Sequence, residues 1–111
     1  EAIGKILALI ARKQPDARVI LTAILPRGEP ESADRKRNAR VNELIRPLAD
    51  GRRVRWLDMT DVFLQSDGRL APGLMTDEVS PRTGLQCNLH PHELGYEVWR
   101  DRLLEMAGLR R

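Results

Sequence analysis

The sequence has 111 residues, of which 41% are hydrophobic, 32% charged and 4% aromatic, with a formal net charge of +3. This is the size and composition of one small globular domain, or a piece of one, and it excludes a disordered chain. No apolar run approaches the roughly 20 residues of a membrane span, and dispersed arginines without interleaved aromatics exclude a nucleic-acid-stacking face.

Ile3, Ile6, Leu7 and Ile10 recur at helical spacing over residues 2–13, with Lys5, Arg12 and Lys13 off that face. The spacing predicts an amphipathic helix ended by the turn around Pro15–Asp16. The helical pattern is under way at Ala2, directly after Glu1, so the chain reads as one cut inside a domain and its localisation stays unknown. Arg18 to Leu25 (RVILTAIL) is a short β-branched run closed by Pro26, which predicts a strand buried on both faces, as in a parallel sheet. Residues 26–36 (PRGEPESADRK) read as an exposed loop. From Arg37 to about Leu48, the spacing of Val41, Leu44, Ile45 and Leu48 predicts a second helix, which Pro47 is placed to shorten.

Asp50–Gly51 is a stop signal, and Val54–Asp58 (VRWLD) predicts a second strand nearer a sheet edge. Residues 59–92 read mostly as loop, punctuated by Asp67–Gly68, Pro72–Gly73, Pro81 and Gly84. A last helix is predicted from Pro91 or His92 to Met106, with Leu94, Val98, Leu103 and Met106 on one side. Helix–strand–helix–strand–helix order with short strands indicates an α/β fold, with the two strands parallel and the second helix in the crossover. A strand as apolar as 19–25 calls for a neighbour on each edge, and this sequence offers it one. The chain alone is therefore expected to be poorly stable or to self-associate as a homo-oligomer.

Both histidines fall in Asn88–Leu89–His90–Pro91–His92, on the loop before the last helix. That loop belongs at the C-terminal edge of the sheet, where open α/β sheets place their sites. A histidine held there by a following proline and helix suits a general base. The plainer alternative is a surface histidine pair capping the helix. Cys87, His90 and His92 are three ligand types within six residues, but with no second cluster they make a weak metal signal, and neither metal nor cofactor is expected. Cys87 is the sole cysteine, which excludes an internal disulfide. Asp58 and Asp77 belong near the same edge, where each is either a cap or a functional carboxylate.

Several segments, in order, resemble the C-terminal half of SGNH (GDSL) hydrolases, most closely the platelet-activating-factor acetylhydrolase branch. They are RKQPD (12–16), ILTAILPRG (20–28), NARVNEL (38–44), Val54–Asp58, DGRL (67–70) and LHPHELGYEVW (89–99). The resemblance covers almost the whole chain. It implies the C-terminal part, residues 1–111, of a flavodoxin-like three-layer αβα domain. The catalytic serine and the oxyanion-hole glycine and asparagine of that domain would come from segments outside this sequence. The family's histidine falls on His90, which would take the serine proton and return it to the leaving alcohol.

The family aspartate three residues before the histidine is here Cys87, and a thiol supplies no carboxylate. The nearest upstream acid is Asp77, which reaches His90 if residues 78–87 form an excursion. The alternatives are a backbone carbonyl in its place or loss of the acid. Ser32, Ser66 and Ser80 all lie in polar loops without the nucleophile turn, so the chain alone is expected to be inactive. Two functions stand against each other. One is the base-bearing part of an esterase acting on small acyl or acetyl esters, with the missing N-terminal half as its partner. The other is a non-catalytic α/β interaction module that keeps the fold.

Overall fold

The computed structural model describes residues 1–77, 79, 81–84 and 88–109. Helix α1 spans Ala2–Lys13 and strand β1 Val19–Thr22. Helix α2 runs Ala33–Ile45 and continues as a 3-10 turn, Arg46–Leu48, where Pro47 removes a helical donor. Strand β2 is Val54–Leu57, α3 is Thr60–Phe63, and α4 is Glu93–Met106.

The strands pair in parallel, with Val19 opposite Val54 and Thr22 opposite Leu57, and α2 lies in the crossover between them. The α/β expectation is borne out. β1 is shorter than the 19–25 run, although the Ala23 N–H still reaches the Leu57 carbonyl. One residue on, the Asn42 carboxamide takes over, accepting from the Ile24 N–H at 2.8 Å and donating to its carbonyl at 3.0 Å. A side-chain amide from α2 thus replaces the next ladder partner and ends the strand. All four β1 residues are half-buried rather than buried on both faces, because β2 is the strand's single neighbour among the described residues.

The loop predicted at 26–36 gives way to α2 from Ala33 onward. Ser32 caps that helix, its Oγ accepting from the Arg35 N–H at 3.2 Å, and Asp34 lies in the first turn. Arg35 then ties three stretches together. Its Nη1 and Nη2 donate to the Gly68 and Gly28 carbonyls, both at 2.6 Å, and its Nε donates to the Arg27 carbonyl at 3.3 Å. Residues 27–28 are thereby held against the Asp67–Gly68 turn.

Most of the core comes from the segment read as loop. Its buried side chains are Leu57, Met59, Phe63, Leu74 and Met75, with Val98, Trp99, Leu103 and Met106 of α4 packed against them. Asp58 begins this segment as a cap, its Oδ1 accepting from the Thr60 N–H at 2.9 Å. A hairpin follows: Leu64 bridges Leu70, Gln65 and Ala71 bond across it, and Gly68 turns with φ of 85°. Leu94 departs from the predicted face of α4 and is 50% exposed. Gly95 is what meets the core, since a Cβ there would run into the Leu74 carbonyl.

Candidate functional site

Backbone pairing builds the site. The chain passes through Leu74–Met75–Thr76, leaves at Asp77, and returns at Asn88 to run antiparallel through His90 to His92. The His92 N–H donates to the Leu74 carbonyl at 2.8 Å, Met75 bridges Pro91, and the Thr76 N–H donates to the His90 carbonyl at 2.9 Å. The Thr76 hydroxyl adds a second bond to that carbonyl at 3.0 Å. Asn88 closes the end, its Nδ2 donating to the Thr76 carbonyl at 2.8 Å. These bonds join the two arms of a stem, with Thr76 opposite His90 and Asp77 the next residue along its arm.

The stem rests on rigid supports. Met75 and Pro91 are buried, and α4 starts immediately beyond the stem, with His92 as its N-cap and Gly95 against Leu74. His90 is exposed on the last stretch before that helix. His92 is exposed too, and its ring makes no capping bond, although its carbonyl accepts from the Tyr96 N–H.

Two cavities flank the stem. One, of about 210 Å³, is lined by Asp77, Asn88, Met75, Gly28 and residues of the 63–71 hairpin and the Pro72–Gly73 turn after it. The other, of about 390 Å³, is lined by residues 22–25 at the C-terminal end of β1, with Arg27, Leu89, Pro91 and Trp99. Along the chain His90 lies between Leu89 and Pro91, both in the second lining. Near the second cavity Arg27 pairs with Asp34 at 2.7 Å. That hydrogen bond and the guanidinium charge hold the Asp34 carboxyl below the usual carboxylate range.

Of the sequence candidates, His90 lies opposite Thr76 in the stem and Asp77 follows Thr76 along the chain, whereas Asp58 accepts from the Thr60 N–H just before α3 and Ser32 caps α2. Ser66 sits in the exposed turn of the hairpin. Cys87 and Ser80 lie outside the described residues, and no group of metal-ligating side chains occurs among those described. Sequence reasoning passed over Asn88, whose one signal is an asparagine opening the Leu89–His90–Pro91 string.

The model of the GDSL-like lipase/acylhydrolase family matches residues 1–98. The chain belongs to that family. It is 38% identical over 95 residues to the platelet-activating factor acetylhydrolase IB subunit alpha1 of Bos taurus, covering 85% of this chain and 37% of the relative. The human alpha1 subunit is 37% identical over the same share of each chain. The alpha2 subunit of Rattus norvegicus is 39% identical over 70 residues, covering 62% of this chain and 31% of the relative. The matches thus span about a third of these relatives' length. The family match, over residues 1–98, includes both arms of the stem and the start of α4.

Proposed function

We propose that residues 1–111 are the base-bearing C-terminal part of a serine ester hydrolase acting on small acyl or acetyl esters. What supports this reading is the pairing of Thr76 with His90, fourteen positions apart in sequence, which brings the residue before Asp77 opposite the histidine. In this reading the nucleophilic serine and the oxyanion donors come from the rest of the domain, and the open edge of β1 is where that part docks. The His90 imidazole accepts the serine proton as the hydroxyl attacks the ester carbonyl, then delivers it to the leaving alcohol. Asp77 orients the ring and stabilises its charged form, doing from ten residues upstream what a carboxylate at position 87 does elsewhere in the family.

Kinetics on the complete polypeptide test the assignment. His90→Ala is expected to lower ester turnover by about 10³-fold or more. His92→Ala is expected to change it by less than about twofold, because that residue only caps α4 through its backbone. Loss of activity on changing His92 rather than His90 contradicts the assignment. Turnover indifferent to both changes favours the non-catalytic module.

A further inference from the structure

We propose that Asn42 is an edge stop: its carboxamide closes the open edge of β1 at Ile24, so that the strand completing the sheet there pairs with Ile20 and Thr22 and goes no further. This rests on the proposed function in one respect, that the strand belongs to the rest of the same domain. In a parallel ladder every second residue turns both its N–H and its C=O to a given neighbour. Val19 lies opposite Val54, and the N–H groups of Val19 and Ala23 donate to the Arg53 and Leu57 carbonyls at 2.7 and 2.8 Å. Val19, Leu21 and Ala23 therefore face β2, and Ile20 and Thr22 turn their backbone groups to the other edge. Ile24 is the next residue in that outer row. There the Asn42 carboxamide accepts from the Ile24 N–H at 2.8 Å and donates to the Ile24 carbonyl at 3.0 Å. One planar amide takes both groups only when both point the same way, as they do in an extended residue. Asn42 thus presents at Ile24 the acceptor and donor that a neighbouring strand would present.

That bond pair divides the edge. Before it, the residues of β1 are half-buried, and β2 is their single strand neighbour among those described. An outward row of backbone donors and acceptors on such a strand is a template for one more extended chain. In the matched relatives the shared part is about a third of the length, so a protein of that size has further chain to supply it. Beyond Thr22 the surroundings change. Residues 22–25 line the cavity of about 390 Å³, together with Asn38, which lies one turn before Asn42 on α2. A neighbour running past Thr22 would have to displace the Asn42 amide. The stop therefore leaves the end of β1 turned to the cavity instead of to another strand.

Native-state amide exchange on the complete polypeptide, read residue by residue by NMR, tests this. The Ile20 and Thr22 amides should be protected as strongly as that of Leu21, at least about 10²-fold over an unprotected amide, because both edges of β1 are then paired. Free exchange at Ile20 and Thr22 beside a protected Leu21 would overturn the proposal. So would protection of the two that grows with protein concentration, which would put a second copy on the edge. Asn42→Ala should speed exchange at Ile24 about tenfold and leave Ile20 and Thr22 within about twofold of the parent. An Ile24 amide still protected in that variant would mean that the neighbour runs on past Thr22, and that Asn42 stops nothing. Should the variant fail to fold, cross-strand NOEs in the parent decide the same point. The neighbour's amide protons should meet Ile20 and Thr22, and the Asn42 carboxamide protons should meet Ile24; neighbour contacts at Ile24 contradict the stop. His90→Ala separates the two levels. If it leaves turnover intact while Ile20 and Thr22 are protected, the base assignment fails and the docked strand stands. If it abolishes turnover while the two amides exchange freely, the edge proposal alone fails.

Discussion

Phe63 is completely buried, and Met59, Leu74 and Met75 beside it are at most 8% exposed, whereas α1 and β1 contain no fully buried residue. On α1, Ile6 is 53% and Leu9 43% exposed, although the helix is the most clearly amphipathic of the chain. The difference teaches where this chain supports itself. The part that carries the stem has its own core, made by α3, the 63–71 hairpin and the inner face of α4. The α1–β1 part presents an apolar helix face and an unpaired strand edge, the features of elements that pack against further structure. In the proposed reading, the nucleophile-bearing part of the domain supplies that cover.

The largest expected effect comes from the filled core. Phe63→Ala should destabilise the chain, alone or within the complete polypeptide, by about 3–5 kcal/mol. Ile6→Ala sharpens the comparison, because its effect depends on what covers α1. In the isolated chain it should stay within about 0.5 kcal/mol, and in the complete polypeptide it should cost about 2–5 kcal/mol. Denaturant melts of the four samples decide this, and equal small effects in both settings would remove the idea of a covered α1 face. Gly95→Ala comes next, at about 1–3 kcal/mol, since the methyl group meets backbone that cannot rotate away. A melt unchanged by that substitution would mean that α4 is not seated on Leu74.

The smallest effect is at Asp34. Its folded-state pKa is depressed by the Arg27 hydrogen bond, so its contribution is present above the unfolded carboxylate pKa and is lost as pH falls through the folded value. Asp34→Asn should therefore cost a little stability at neutral pH and almost none in acid, which flattens the acid limb of the stability curve slightly. A larger loss in acid than at neutral pH contradicts that sign.

Periodicity made α1, β1, β2, α2 and α4 legible in the sequence, because each carries a repeat that composition alone reveals. α3 and the hairpin were not, since one helical turn and two bridging residues are too short for any period to register. Leu94 misled for a related reason: the contact that seats α4 is made by Gly95, which carries no hydrophobic signal at all. The early start of α2 was hidden by charge, although Ser32 followed by an acidic first turn is a capping signal. At the site, residue chemistry was readable and geometry was not. His90 stood out by its match to the family histidine and Asp77 as the nearest upstream acid, whereas the bonds that join Thr76 to Asn88 and His90 link residues 12 and 14 apart in sequence.

The central claim is that Asp77 works through His90, and a double-mutant cycle on ester turnover by the complete polypeptide tests it most directly. Asp77→Asn alone should lower kcat by about 10²-fold or more. In the His90→Ala background, where there is no imidazole left to orient, the same change should cost less than about twofold. An Asp77→Asn loss of equal size in both backgrounds would show two independent groups, and would contradict the account.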